Sequence, residues 1–565
     1  MTSTSSGEQG EARPAGAFEP FADKTFRATW IGSVFFSFGL FSQNIGAAWA
    51  MTEIGSVQFV ALITTALMAP SVFLALFSGA MADMFDRRKV QITAMSIGLV
   101  SNSVLAGLAY IELVSPIILL IFTFFQGCSL TLFGPSWQAS TAEQVGDRLL
   151  PAAISLNAIS FNIGRALGPA IGGLLVGFIG VTGTFLCSAL FYVPMLVTLL
   201  RWRREASVPR LPPQTLGRTV QSGLRYVMNS PPIRNVIVRC VLVSSCGGAL
   251  TALMPVIARD QLGGGSFSLG ILLAGIGTGA VLGWLTLGKW RAMFSPETML
   301  RLGTTVSGLC TVGAAFSTSI ALTIPLVMIF GMAWLIVTSG MNIAVQVPSP
   351  RWAVGRMLAT FQAAAACGLA LAGIIWGRVA EVIGLQGALL SSGTLLIVVL
   401  FAYGLRFPVR DLRRADDAIA EDDLHTFPVD LNLTDRSGPV VIEIEYRVDA
   451  AKARDFYHHM SEVRAARLRN GAFDWTLSRD ISNKEIWVER FYCSTWLDYQ
   501  HVRSRGTYPE RDLWQMATQF HDDPQPVTVR RRLERPYGSV RWKDETRDPG
   551  PRKVVQPAGG PMFNN

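Results

Sequence analysis

From Trp30 to Tyr403 the chain repeats long apolar runs, such as Trp30–Met51 and Ile233–Ile257, separated by short polar loops. Each run reaches roughly 18 residues, enough at about 1.5 Å per residue to cross a hydrocarbon core of roughly 30 Å. A buried helix of a water-soluble protein seldom carries more than about 14. The pattern predicts spans near 27–50, 58–81, 91–111, 116–138, 152–178, 183–200, 234–258, 268–288, 299–318, 321–345, 357–380 and 386–405. The loop Arg201–Pro232, broken by Pro212-Pro213 and Pro231-Pro232, divides these spans six and six. Gly172-Gly173-Leu-Leu-Val-Gly177 returns as Ala372-Gly373-Ile-Ile-Trp-Gly377, so the second six look like a repeat of the first. Paired halves rocking about a site near the midplane are how alternating-access transporters are built.

Beyond the spans the pattern changes. Asp411–Ser437 is charged and reads as a linker. Alternation then predicts a strand at Val440–Val448, followed by a helix at Ala450–Arg469, strands at Phe473–Arg479 and Lys484–Tyr492, a helix at Thr495–His521 and a last strand at Val527–Leu533. Strand-helix-strand-strand-helix-strand is the split ferredoxin-like plan. It resembles the small α+β barrel domains that pair across their sheets, which implies a homodimer through this domain. All five histidines (His425, His458, His459, His501, His521) lie in this C-terminal part. His458 and His459 are neighbours on a predicted helix and point about 100° apart, so they form no haem or catalytic constellation. The polar stretch Met1–Pro20 lacks a basic start and an apolar core and reads as a disordered lead; the residues after Arg535 read as a disordered tail.

Half of all residues are apolar and 16% are charged, which agrees with a lipid environment. The net charge of +9 does not point to nucleic acid, because the cations sit in alternate loops and in the tail. One set of loops holds Arg87, Arg88 and Lys89, then Arg148, then Arg201, Arg203 and Arg204, then Lys289 and Arg291, then Arg351 and Arg356, then Arg406 and Arg410; the other set is nearly bare apart from Arg259. The positive-inside rule places the basic set, both termini and the C-terminal domain in the cytoplasm of a multi-pass inner-membrane protein. Cys128, Cys187, Cys240, Cys246, Cys310 and Cys367 lie within apolar runs with no CxxC pair and read as small core residues. No metal site, cofactor or ATP-binding P-loop is called for.

Two segments carry specific chemistry. Between spans two and three, Gly79-Ala-Met-Ala-Asp83-Met-Phe-Asp86-Arg87-Arg88-Lys89 places a carboxylate beside cations at the loop; Asp83 can accept from an arginine or a helix N-terminus and so latch the two halves. In span five, Gly164-Arg165-Ala-Leu-Gly168-Pro169-Ala-Ile-Gly172-Gly173 sets glycines four apart, giving a smooth face for close backbone approach, with a proline that loosens the ladder. Arg165 is the one strongly charged side chain well inside a span of the first half, and a cation there needs water or a partner. An anionic substrate group or Glu143 would serve, or the side chain would snorkel to the end of the span. The neutral polar residues at depth, Gln43, Asn44, Gln126, Gln138, Asn157, Asn162, Asn342, Gln346 and Gln362, suggest a cavity for a bulky, partly apolar ligand, with Trp49, Trp137, Trp334 and Trp376 nearby in sequence. Asn342 and Gln346 are four apart and share a helix face.

The loop segment resembles the major facilitator pattern G-x-x-x-D-R-x-G-R-R, departing from it at Met84 and Asp86, and the span-five segment resembles the exporter pattern G-x-x-x-G-P-x-x-G-G of the same superfamily. Phe133-Gly-Pro-Ser-Trp-Gln138, Ser155–Asn162, Gly223-Leu-Arg225-Tyr226 and Gly331–Asn342 are similar to the transmembrane secretion effector family. The resemblance implies an all-α membrane protein of twelve transmembrane helices in two six-helix halves (25–200 and 234–406), with a central loop at 201–233, a linker at 407–438 and a cytoplasmic α+β ferredoxin-like domain at 439–535. It further implies secondary export of a small molecule, siderophore-like or drug-like, and no enzyme. Many proton-driven exporters of this class carry an arginine ahead of Gln-Gly in span four, whereas Thr123 stands at that place ahead of Gln126-Gly127. If protons drive transport, the titrating carboxylate must lie at a span end, with Asp83, Glu53 and Glu143 as candidates. A membrane-anchored sensor using the α+β domain and an importer of the same fold are the alternatives.

Overall fold

The computed structural model describes residues 18–202, 216–350, 353–409, 429–431, 433–504 and 507–534. The N-terminal lead up to residue 17, Arg203, Arg204, Pro212, Pro213, Arg351, Arg410, His425 and the tail from 535 lie outside the described residues, as do the side chains of Gly79 and Asp83. The chain forms two compact units.

The first unit is helical. It contains α1 (Lys24–Ile54), α2 (Val57–Met84), α3 (Arg87–Tyr110) and α4 (Pro116–Arg201); the greater part of α6 (Pro231–Gly247) with the short helices α7 (Ala249–Ala252) and α8 (Met254–Val256); and α9 (Ser266–Met293), α10 (Pro296–Ala315), α11 (Ile320–Gln346) and α12 (Val354–Arg406). Local chemistry sets the starts: Asp23 accepts from the Phe26 amide at 2.7 Å, and Asp86 from the Arg88 amide at 3.0 Å. Ser115 and Ser295 cap α4 and α10, each followed by a proline whose absent N–H costs nothing in the first turn. The long helical runs are not straight rods. α4 is broken at Gly146 (φ 69°) and Gly180 (φ 70°), and α12 at Gly384 (φ 82°), a left-handed backbone that side chains disfavour. Gly180 and Gly384 fall in the gaps between predicted spans 152–178 and 183–200, and between 357–380 and 386–405.

Seven helical stretches among the described residues are long and apolar enough to cross a bilayer, two of them the 54-residue Arg148–Arg201 and the 53-residue Val354–Arg406. α1 packs along α4 with small residues at the contact. Ser33 donates to Ser160 (2.9 Å), the Trp30 indole N–H donates to the Leu156 carbonyl (2.8 Å), and Phe36, Tyr192 and Met195 fill the space between.

The second unit gathers Gln221–Arg234 and Gln346–Met357 with the described residues from 429 onward. Its C-terminal part runs β1 (Val440–Arg447), α13 (Ala453–Asn470), β2 (Phe473–Arg479), β3 (Ile486–Cys493), α14 (Trp496–Ser504), α15 (Tyr508–Gln519) and β4 (Thr528–Leu533). The sheet order is β2-β3-β1-β4, antiparallel throughout, with Val440 opposite Cys493 and Leu533. Alternation divides β1. Ile442, Ile444 and Tyr446 pack with Phe456, Met460 and Val463, while Glu443 and Glu445 on the other face pair with Arg532 (2.9 Å) and Arg530 (3.4 Å). Burial pushes the Cys493 thiol up to about 12, so it is a neutral core group.

α5 (Leu216–Met228) ends in this unit, and Tyr226 and Val227 are buried. Arg469 forks onto Glu510 (3.0 and 3.2 Å) and also donates to the Asn229 carbonyl at 3.3 Å. Burial, and then the Glu510 charge, push the Tyr226 phenol up, with Arg469 opposing. Removing the fork with Arg469→Ala is expected to speed amide hydrogen exchange over 226–234 by about tenfold, the equivalent of one charge-assisted hydrogen bond. Unchanged exchange would show that this segment is held without Arg469.

Candidate functional site

The helical unit has two ends. α2 begins just after Ser56 and finishes just before Arg87, so a helix of about 40 Å separates those two residues. At the end carrying Ser56, α2 and α12 meet closely: the Ser56 hydroxyl donates to Glu381 (2.6 Å) and the Thr65 hydroxyl to the Ala370 carbonyl (2.7 Å). Gly373 lies so close to α2 that a Cβ there would stand 2.5 Å from the Ala61 carbonyl oxygen.

The seam between α4 and α9 is closed at the same end. A Cβ on Gly173 would meet the Ser266 carbonyl at 2.8 Å and the Gly270 Cα at 3.0 Å. Midway along, a Cβ on Gly277 would stand 2.6 Å from the carbonyl oxygen of Arg165. That carbonyl lies four residues before Pro169, which has no N–H to offer it, so the proline frees the oxygen and the glycine opposite allows α9 to cover it. Closer to the basic end the helices part into a groove of about 230 Å³, lined by Ile159, Asn162, Ile163 and Leu167 on α4 and by Val281 and Trp284 on α9.

The exporter-type glycines thus divide their work. Gly164, Gly168 and Gly172 face Ser37, Phe41 and Ser42 of α1, whereas Gly173 faces the other half. Arg165 is half-buried; its Nη2 atom is sealed from solvent and has no hydrogen-bond partner. Glu143, the carboxylate considered for it, accepts instead from Arg87 at 2.9 Å. Arg87 also donates to the Ala139 carbonyl, and Arg88 caps the end of α4 by donating to the Leu199 and Leu200 carbonyls (2.7 and 2.8 Å). Glu53 accepts from the Trp49 indole at 3.0 Å.

The polar residues expected to line a cavity separate into groups. Gln43 is buried with an unpartnered Oε1, and Asn44 is half-buried. Gln138 and Gln362 are exposed. Asn157 donates to the Thr141 hydroxyl (2.9 Å) and Asn162 to the Ala158 carbonyl of its own helix (2.8 Å). Gln126 bridges Asn102 and the Tyr192 hydroxyl. Asn342 lies one turn before Gln346, the last residue of α11, and the two fall in different units.

Sequence reasoning passed over a buried charge cluster in the second half. Arg239 on α6, 1% exposed, pairs with Glu297 at 2.7 Å; Glu297 also accepts from Arg301 (2.7 Å) and from the Val409 amide (2.9 Å), and Arg301 donates to the Gly404 carbonyl near the end of α12. Arg301 therefore does in the second half what Arg88 does in the first: a cation from the start of one helix satisfies carbonyls at the end of the last. The internal repeat was the signal that could have found it, with Pro296-Glu297 and Arg301 opening α10 as Arg87 and Arg88 open α3.

This architecture is that of a major facilitator-type membrane transporter. The nucleoside transporter NupG superposes with a TM-score of 0.56 at 14% identity, covering 68% of this chain and 99% of that one. A bacterial homologue of the human lysosomal transporter Spinster gives 0.56 at 15% identity, over 68% and 96%. The model of the transmembrane secretion effector family matches residues 15–537, and the chain belongs to that family. Its relatives include a staphyloferrin A transporter of Staphylococcus aureus, 22% identical over 52% of this chain and 71% of its own length. An enterobactin exporter, EntS, of Shigella boydii is 27% identical over 43% of this chain and 58% of its own. These relatives are transporters, not enzymes.

Proposed function

We propose that the chain exports a siderophore-like or drug-like small molecule from the cytoplasm by alternating access through twelve membrane crossings, with the basic end and both termini in the cytoplasm. The observation that carries this reading is the graded seam: Ser56–Glu381, Gly373 and Gly173 close the halves at one end, while α4 and α9 part towards the basic end. With the basic loops inside, this is an inward-facing arrangement, the state in which an exporter loads. The relatives named for siderophore transport support the substrate class. A proton gradient is the proposed drive, with Glu53, Glu143 and Asp83 as coupling carboxylates, and Asp83 together with Gly79, Arg87 and Arg88 as the gate. The C-terminal sheet is read as a ferredoxin-like domain able to pair with a second copy.

Inside-out vesicles carrying the full chain should accumulate at least one compound from a panel of siderophores, dyes and drugs when a proton gradient is imposed, and should stop when it is collapsed. Gradient-independent or absent movement of every compound sinks the reading. A sensing role for the α+β domain is the second reading, favoured by the Arg469 bond to Asn229 in the segment that leads into α6.

A further inference from the structure

Arg165 is the only charged residue between Arg148 and Arg201, and the structure leaves its Nη2 buried and unpartnered. Among the described residues, α1 and α9 offer no counter-charge at its depth. α1 carries Lys24 and Arg27 in its first turn and Glu53 in its last, and α9 carries only Lys289 and Arg291 near its end. Glu143 is held by Arg87. A guanidinium cannot shed its proton at physiological pH, and an N–H sealed from water without an acceptor is costly.

The residue is also fixed in place. Its backbone is fixed at the inter-half seam by the contact of its carbonyl with Gly277. A cation fixed at the contact of the two halves, with a sealed nitrogen and no anion of its own, is completed by an anion that arrives and leaves.

We infer that Arg165 binds an anionic oxygen group of the transported molecule, so that the substrates of this chain are organic anions such as carboxylates or catecholates. The planar fork of arginine suits two-oxygen acceptors of this kind. The inference rests on the export reading for the word substrate, but its test does not depend on transport. An anionic lipid headgroup offers the same chemistry, and the test separates the two sources.

The full-length protein in neutral detergent, free of anionic lipid, is titrated with carboxyfluorescein, enterobactin and citrate as anionic probes and with rhodamine 6G as a cationic one. Wild type is expected to bind at least one anionic probe, Arg165→Gln to bind it about tenfold more weakly or worse, and Arg165→Lys to fall between them, with rhodamine 6G unaffected by either substitution. Arg165→Lys keeps the charge, so its intermediate affinity guards against misfolding of the glutamine variant. The inference is overturned if wild type binds none of the three anions, if Arg165→Gln binds them as wild type does, or if the anions bind only after phosphatidylglycerol is restored. Failure of the vesicle assay alongside intact, Arg165-dependent binding would remove export and leave the anion site standing.

Discussion

Gly373→Val is expected to cut gradient-driven transport by about tenfold or more, while the protein still reaches the membrane. Gly373 approaches α2 where the halves meet at the Ser56 end, and any Cβ there would crowd the Ala61 carbonyl and the Thr65 hydroxyl. Backbone on one side and a hydrogen-bonded hydroxyl on the other leave nothing flexible to give way. Overpacking of this kind costs roughly 1–3 kcal/mol, and each 1.4 kcal/mol is about tenfold in an equilibrium. The cost applies only while the halves are closed at that end, so the substitution depopulates this state instead of unfolding the helices. Labelling of a Ser266→Cys variant, whose side chain is buried against Gly173 at the same end, by a membrane-impermeant thiol reagent should rise in parallel. Gly288→Ala, whose Cβ would meet nothing within 4 Å, is the control and should behave as wild type. Wild-type transport by Gly373→Val with Ser266→Cys still protected would show that this seam does not open.

The membrane part was legible because its signal is local. Long apolar runs, alternating basic loops and the glycine spacing from Gly164 to Gly173 are properties of consecutive residues. The strand pattern of Val440–Val448 was readable for the same reason, and the observed β1 ends one residue short of it. What stayed hidden was pairing over distance. Arg87 finds Glu143 across 56 residues and Arg239 finds Glu297 across 58, and no property of either residue alone names its partner. The same holds for Arg165, whose significance comes from a missing partner and from a carbonyl that Pro169 frees and Gly277 covers. The membership of Gln221–Arg234 in the second unit is likewise a long-range fact, carried by Arg469 and Tyr226.

Glu489→Ala is expected to destabilise the α+β domain by about 3–5 kcal/mol, enough to unfold a domain of ordinary marginal stability. Glu489 is fully buried on β3 and accepts from Tyr446 (3.1 Å), Arg467 (3.1 Å) and the Trp475 indole (3.0 Å), so three donors from a strand, a helix and another strand converge on one carboxylate. Arg467 is in turn stacked on Phe491 and Trp514 at 4.9 and 4.6 Å. Deleting the carboxylate leaves a buried guanidinium without its anion and strips Tyr446 and Trp475 of their acceptor. Thermal melts followed by tryptophan fluorescence, and hydrogen exchange over 440–493 in the full chain, would read the loss. The double replacement Glu489→Met with Arg467→Leu should recover most of it, because removing both charges of a buried pair costs far less than removing one. Burial, and then the Glu489 charge, push the Tyr446 phenol up, so its contribution is complete below about pH 10, the unfolded value, and is lost as pH rises beyond it. If the double replacement melts no higher than Glu489→Ala alone, the unpaired charge is not the cause, and the lost acceptor for Tyr446 and Trp475 must carry the effect.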